Sequence, residues 1–200
     1  MQERSSVKPL PSVLAGREAE NESTAATPPR RPFPFLIGAI TIPIIVLDQA
    51  TKLLVRSHMA QYESIALIPN YLDITYVLNP GAAFSMLADA PPWARLVFLL
   101  SMSCTAIIVL AVLIVRSERI SINSISFALI LAGATGNLID RATRGGRVID
   151  FMRAHYYDLN YPVFNVADSA ISIGVTLIIL ASLFGGDAES KPNLSREKVK

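Results

Sequence analysis

The sequence predicts an all-α membrane protein, a bundle of four transmembrane helices with one small β element outside the bilayer. Three observations predict this fold class. Of the 200 residues, 52% are apolar and only 17% are charged, a balance too apolar for a soluble domain of this size. Four apolar runs are long enough to cross a bilayer, and a short segment of alternating polarity lies between the first two.

The four runs have about 20 residues each, which at about 1.5 Å per helical residue spans a hydrocarbon core of about 30 Å. They cover residues 33–55, 93–115, 122–141 and 163–184. Residues 116–121 form a tight hairpin between the second and third runs, so the longer connections, 56–92 and 142–162, must lie at the opposite membrane face. Residues 72–78 alternate and contain β-branched side chains, which predicts a short extramembrane strand and favours a small sheet capping the bundle.

Both ends of the chain are predicted to be cytoplasmic tails flanking a four-span domain at 33–184. Residues 1–32 are rich in Ser, Pro, Ala, Glu and Arg and predict a disordered tail, and residues 185–200 are polar and charged. The first run contains Pro43, continues past Asp48 and lacks a small-x-small cleavage site, so we interpret it as a retained helix rather than a secretory signal. Lys and Arg near the span ends are balanced, and only the tail charges favour cytosolic termini.

Composition argues against several classes of function. The net charge is +2 and no basic run is interleaved with aromatic residues, so nucleic acid is not expected as a partner. Cys104 is the single cysteine, and His58 and His155 lack the spacing of a zinc hydrolase. We therefore expect no metal and no other cofactor.

The unusual polar residues gather at one membrane face, because the end of an odd-numbered span and the start of the next even-numbered span always share a face. Ionisable residues inside spans are costly to bury and normally face a bundle interior or a wet cavity. A single functional site is therefore predicted. Its candidates are Asp48, Gln49 and Lys52, residues 79–85, Asn137, Asp140 and Arg141, and Asn165 and Asp168.

Each motif also has a structural interpretation. Asp48 and Lys52 stand at i and i+4 and can form an ion pair. The segment 79–85, Asn-Pro-Gly-Ala-Ala-Phe-Ser, is either a re-entry turn or a place where Asn79 holds a substrate backbone.

The third and fourth spans repeat one device, an Asn and an Asp on one helix face. Asn137 and Asp140 stand at i and i+3, beside Gly133 and Gly136, which permit close helix contact; Asp140 can instead pair with Arg144. Asn165 and Asp168 share the first turn of the fourth span, where Asn165 can instead cap the helix and the helix dipole favours an ionised carboxylate.

Asp150 stands between apolar neighbours in the connection joining the third and fourth spans, and can therefore meet Asp168. Two carboxylates held close together do not easily both ionise, so one keeps a proton while the other is charged, an arrangement that activates water against an amide. The residues alone do not decide between Asp150 and Asp140 as the partner of Asp168.

Taken together, these motifs resemble those of the lipoprotein signal peptidases, also called signal peptidase II, a family of bacterial intramembrane aspartyl endopeptidases. The resemblance covers about residues 35–184. The motifs are Asp48-Gln49 with Lys52, Asn79-x-Gly-Ala-Ala-Phe-Ser85, Gly136-Asn-x-x-Asp-Arg141, Val-Ile-Asp150-Phe and Phe-Asn165-x-Ala-Asp168-Ser.

The resemblance implies a fold, a location and a reaction. The fold is a four-helix bundle with an extracytoplasmic β element, in the bacterial inner membrane, with both termini cytoplasmic and the active site near the periplasmic face. The reaction is hydrolysis of the peptide bond before a diacylglyceryl-modified cysteine, which releases the signal peptide of a prolipoprotein without a cofactor. The implied partners are diacylglyceryl prolipoproteins, membrane lipids and globomycin-type inhibitors.

The resemblance also implies roles for individual residues, which fall into three groups. The catalytic pair is Asp150 and Asp168; the positions that contact substrate or globomycin are Asn79, Gly81, Asn137, Arg141 and Asn165; the supporting positions are Asp48, Gln49, Lys52 and Asp140.

Two rival functions come from other classes. One is a proton- or ion-coupled carrier that uses the same carboxylates as relay sites, although four spans without internal repeats argue against it. The other is a serine hydrolase with Ser85 as nucleophile and Lys52 as base, the Ser-Lys arrangement of the unrelated type I signal peptidases.

Overall fold

The computed structural model describes residues 33–81 and 91–184, which contain four helices long and apolar enough to cross a membrane. The two tails and Ser85 lie outside the described residues. The helices are α1 (Phe33–His58), α2 (Pro92–Arg116), α3 (Ile122–Thr143) and α4 (Val166–Phe184). The four predicted spans are thereby confirmed, with ends that differ by up to three residues.

The largest differences lie where α1 ends and α4 begins. Helix α1 extends to His58, beyond the predicted apolar run, because its last turn carries polar side chains that a search for apolar residues leaves out. Helix α4 begins at Val166 because Phe164 is drawn into extended structure, its N–H donating to the Met152 carbonyl at 3.0 Å.

Four strands form an antiparallel sheet in the order β1-β2-β3-β4. They are β1 (Ser64–Ile68), β2 (Leu72–Asn79), β3 (Val148–Tyr156) and β4 (Leu159–Asn160). The predicted strand at 72–78 is confirmed as β2, and the other three strands were not predicted. A bulge between Ile74 and Val77 of β2 sets the register that places Asp150 of β3 opposite Val77.

Helix α1 passes Pro43 without breaking because a π-helical turn, Ile37–Thr41, precedes it. Proline has no N–H to donate and its ring crowds the preceding turn, so a widened turn accommodates it. The Thr41 hydroxyl donates to the Ala128 carbonyl of α3 at 3.2 Å, which fixes this part of α1 against the bundle.

Helices α3 and α4 approach each other over glycines. A Cβ built on Gly133 would lie 2.2 Å from the Ala167 carbonyl oxygen, and one on Gly174 would lie 2.6 Å from Ile130 Cγ1. The predicted close helix contact at Gly133 and Gly136 is confirmed, and Gly174 adds a third position. This packing holds the first turn of α4 beside the polar end of α3.

A hydrophobic cluster joins the sheet to the end of α1. Its buried members are Val55, Met59, Tyr76, Ile149 and Phe151. Because the cluster takes residues from α1, β2 and β3, the part of β3 that carries Asp150 is fixed over the end of the bundle.

Candidate active site

Asp150 is the third residue of β3 and is only 2% exposed. Two side-chain amides donate to its carboxylate: Asn79 Nδ2 to Oδ2 at 2.8 Å, and Asn165 Nδ2 to Oδ1 at 2.6 Å. Asn79 closes β2, and Asn165 directly precedes α4. Three separate elements therefore converge on this carboxyl group.

Burial raises the pKa of Asp150 to about 6, against the lowering effect of the hydrogen bond from Asn79. The negative charge of Asp168 raises the pKa further, and the hydrogen bond from Asn165 opposes that rise. A carboxyl group with this pKa exchanges a proton close to neutral pH, as a general acid or base requires.

Asp168 lies in the first turn of α4 and is half-buried. Asn137 Nδ2 of α3 donates to Asp168 Oδ1 at 2.8 Å, and the Asn165 N–H points at Asp168 Oδ2 at 3.3 Å. In return, the Asp168 N–H donates to Asn165 Oδ1 at 2.9 Å, which completes a reciprocal cap of the helix. These donors hold the Asp168 carboxylate at the positive end of the α4 helix dipole.

Asn165 is fully buried and combines two functions that the sequence left as alternatives. Its oxygen caps α4, while its Nδ2 reaches Asp150. The same Nδ2 also lies 3.2 Å from Asn137 Oδ1 and 3.2 Å from the Ile149 carbonyl. Asn165 is therefore a direct neighbour of both Asp150 and Asp168 and fixes their relative position.

A buried charge network lies beneath the two carboxylates. Lys52 Nζ is 2.8 Å from Asp48 Oδ2 and 3.0 Å from Asp140 Oδ2, and these side chains are at most 1% exposed. Lys52 also donates to Asn137 Oδ1 at 3.1 Å, and Gln49 Nε2 lies 3.1 Å from Asp48 Oδ2 and 3.3 Å from Asp140 Oδ1. The predicted Asp48–Lys52 pair is thus one edge of a larger network that links α1 to α3.

The network gives Asp140 and Asp150 different surroundings. The oxygens of Asp140 accept from Arg144 Nε at 3.0 Å and from the Ile149 N–H at 3.0 Å, in addition to Lys52. Two cations thus neutralise Asp140, whereas the direct side-chain partners of Asp150 are neutral amides. Asp150, and not Asp140, accepts a hydrogen bond from Asn165, which also contacts Asp168.

Asp48 plays a similar structural role at α4. Its Oδ1 accepts from the Ala167 N–H at 2.9 Å, so it satisfies one of the free N–H groups at the start of that helix. A Cβ on Gly136 would lie 2.6 Å from Asp48 Oδ2, which explains why glycine stands there.

Asn79 is held in place by a turn. The Gly81 N–H donates to Asn79 Oδ1 at 2.8 Å, and Gly81 has a φ of +92°, which favours glycine. The Asn79 oxygen is thus fixed by the turn, while its nitrogen faces Asp150. Asn79 therefore takes part in the turn and also contacts Asp150, while its predicted contact with a substrate backbone stays a prediction.

The Arg141 guanidinium lies close enough for its charge to act on Asp168 and Asp150. Its Nε is buried, and within residues 33–81 and 91–184 it has no hydrogen-bond partner. Such a donor can bind a carbonyl oxygen brought by a ligand.

A cleft of 430 Å³ opens beside Asp150. Asn79 and Asp150 supply its polar wall, and its apolar walls are formed by Val77, Leu78, Pro80, Pro162 and Val163. Its volume falls in the usual range for ligand pockets, about 300–1,000 Å³.

A second polar cluster, on the sheet, was not predicted. Arg153 of β3 pairs with Asp73 of β2, its direct cross-strand neighbour, and His155 Nε2 lies 3.4 Å from Asp73 Oδ1. The hydrogen bond from Arg153 lowers the pKa of Asp73. Opposite charges on paired strands stabilise a sheet, so the sequence contained a sign of this pair. Predicting the pair, however, required the register of β3 against β2.

The fold and the site define a multi-span membrane protein that holds two carboxylates, linked through one asparagine, beside a cleft at one end of its helix bundle. A sequence model of the family described as Signal peptidase (SPase) II matches residues 40–184. The chain belongs to this signal peptidase II family, and it is a multi-pass membrane peptidase.

Similar proteins come from several bacteria. The lipoprotein signal peptidase of Pseudomonas putida is 42% identical over 146 residues, covering 70% of this chain and 82% of that protein. That of Photorhabdus laumondii is 38% identical over 151 residues, covering 76% and 89%. A bacterial membrane enzyme solved by the in meso method at 1.9 Å resolution superposes with a TM-score of 0.69 at 31% identity, covering 81% of this chain and 99% of that chain. These similarities confirm the family resemblance that the sequence motifs indicated.

Proposed function

We propose that Asp150 and Asp168 are the catalytic pair with which this chain removes signal peptides from prolipoproteins, the activity of the signal peptidase II family. One observation carries the proposal: a single buried residue, Asn165, donates to both carboxylates, with its side-chain amide to Asp150 and with its backbone N–H to Asp168. One of the two is deeply buried with a raised pKa, and the other lies at a helix N-terminus.

The geometry supports different roles for the two carboxylates. Asp168, charged and half-buried, takes a proton from a water molecule, which attacks the scissile carbonyl carbon. Asp150 holds the single proton of the pair and donates it to the carbonyl oxygen as the tetrahedral intermediate forms. When the intermediate collapses, Asp168 passes the proton it took from water to the leaving amine, and a hydroxyl of the intermediate returns a proton to Asp150 as the new carboxyl group forms. The pair then again holds one proton.

Substrate binding is assigned to residues around this pair. The unpaired Nε of Arg141 is suited to hold a substrate carbonyl. Asn79 lines the cleft where the peptide backbone would enter, and Gly81 holds Asn79 there. Asn137 and Asn165, whose amides already bind the carboxylates, act by positioning them. Globomycin-type inhibitors would occupy the same cleft.

Cleavage of a purified lipidated precursor tests the function directly. We expect a prolipoprotein bearing diacylglyceryl-cysteine to be cut just before that cysteine, as the mass of the two products would reveal. The same precursor without its lipid is the control and should be cut far more slowly. Cleavage at another bond, or equal cleavage of both precursors, would contradict the assigned substrate.

The raised pKa of Asp150 predicts a pH dependence. Below about pH 6 Asp150 keeps its proton and can act as the acid; above that pH it loses the proton, and the pair carries two negative charges. We therefore expect kcat/KM for the lipidated precursor to fall as the pH rises through about 6. A kcat/KM that instead rises steadily from about pH 5 to about pH 8 would assign the role of base to Asp150.

The site is assigned to the periplasmic face of the inner membrane, with both tails cytoplasmic. The supports are the charged tails at 1–32 and 185–200 and the joint placement of both long connections with the site. A reporter active only in the periplasm should be active when inserted near Gln61 or Asn160 and silent when fused after Lys200. An active reporter at the carboxyl terminus would reverse the orientation.

A further inference from the structure

A second cavity, of 190 Å³, lies between the start of α2 and the turn that follows α3. Arg95 of α2 and Arg147 of the turn supply its charged lining, and Leu96 and Leu99 form its apolar floor. Among the described residues that line it there is no carboxylate. The cavity is smaller than a typical small-molecule pocket of about 300 Å³ or more, so it suits a compact group.

The Arg147 guanidinium is available to a ligand, because no carboxylate in the described part of the chain pairs with it. The residue is exposed, and its guanidinium makes no hydrogen bond or ion pair within residues 33–81 and 91–184. Arg144, three residues earlier, by contrast forms an ion pair with Asp140.

The backbone of the turn is ordered, so Arg147 is held beside the cavity. The Gly146 N–H donates to the Arg141 carbonyl at 2.9 Å and the Arg147 N–H to the Arg144 carbonyl at 3.3 Å. Gly146 has a φ of +84° and packs against Leu96, where a Cβ would lie 3.1 Å from Leu96 Cδ1.

The depth of the cavity indicates what fills it. Helix α2 begins at Pro92 and α3 ends at Thr143, so the cavity lies where two spans leave the hydrocarbon region. Trp93, one residue into α2, is 70% exposed, as is typical of an aromatic anchor at the membrane interface. The anionic group found at this depth in every phospholipid is the headgroup phosphate, and arginines bind phosphate through paired N–H donors.

We propose that Arg147, beside Arg95 in the lining, binds the phosphate of a phospholipid headgroup in this cavity. The cavity and the cleft beside Asp150 share Pro80 but no other lining residue, so the ligand lies beside the peptide substrate and is distinct from it. The positive end of the α2 helix dipole favours the same charge.

Native mass spectrometry of the delipidated full chain tests this site. The protein is titrated with dioleoyl phosphatidylglycerol and, separately, with dioleoylglycerol, which has the same acyl chains but no phosphate. Arg147→Gln should weaken retention of phosphatidylglycerol about fivefold to tenfold, the loss expected for one charge-assisted contact. Retention of dioleoylglycerol should not change, and Arg147→Lys should fall between the two proteins.

Arg116→Gln is the matched control, since Arg116 is an exposed arginine at the opposite end of α2. It should retain phosphatidylglycerol like the unmodified chain. Because Arg147 is exposed, its replacement tests the site even if Arg95→Gln does not fold. Equal retention by Arg147→Gln and the unmodified chain would overturn the proposal. Displacement of the lipid by inorganic phosphate at about 10 mM, far above the concentration of bound lipid, would assign the site to free phosphate instead.

Discussion

Asp150→Asn and Asp168→Asn are each expected to lose about 100- to 10,000-fold in kcat for cleavage of a lipidated precursor, the usual contribution of a general acid or base. Asparagine keeps the volume of aspartate but can neither carry the charge nor exchange the proton. Because the two carboxylates share one proton, the double variant should be little worse than either single variant. Both variants should still fold. The side-chain amides that donate to the two aspartates can rotate and form a hydrogen bond with the asparagine that replaces either one.

Two controls separate this mechanism from its rivals. Asp158→Asn changes an exposed aspartate in the turn between β3 and β4 and should cleave at the normal rate. Ser85→Ala tests the serine mechanism and should cost far less than either active-site substitution. An inactive Ser85→Ala beside an active Asp150→Asn would overturn the aspartyl assignment. Lys52→Ala does not discriminate, because it leaves the buried Asp48 without its cation and Asp140 with Arg144 alone, and so destabilises the fold under any mechanism.

The spans could be predicted from the sequence because a bilayer imposes a simple rule, about 20 apolar residues in a row. The sheet could be predicted only in part. Strand β2 alternates over its first four residues, whereas β1 is exposed at all five positions and so has no buried face to produce a pattern. Strand β3 is buried at four consecutive positions around Asp150, a pattern that periodicity does not distinguish from a short apolar run in a loop.

The order of the spans was enough to locate the site, but not to identify which carboxylate is the partner of Asp168. Span order alone placed every polar motif at one face of the membrane. The choice between Asp140 and Asp150 needed three dimensions, because it depends on Lys52 reaching Asp140 from α1 and on the β2 bulge that brings Asp150 opposite Val77. The resemblance implies Asp150, and the charge network supports that proposal.

Asn165→Ser is expected to lower kcat about 10- to 100-fold, by an effect on the pair and not on the helix. Serine is a good helix N-cap, so α4 keeps its first hydrogen bond, but its side chain is too short to reach Asp150. Asn165→Ala loses the cap as well and should unfold more easily than Asn165→Ser by about 1 kcal/mol. The difference in thermal unfolding between these two variants therefore measures the capping role alone.

The pH profile of Asn165→Ser separates positioning from simple damage. The hydrogen bond from Asn165 lowers the pKa of Asp150, so its loss should raise that pKa above its value of about 6. Asp150 then keeps its proton to a higher pH, and the fall in kcat/KM should move upward with it. A merely structural role would lower activity without moving the profile. If Asn165→Ser cleaves at the normal rate with an unmoved profile, the amide does not tune the pair, and the roles of acid and base must rest on Asn79 and burial alone.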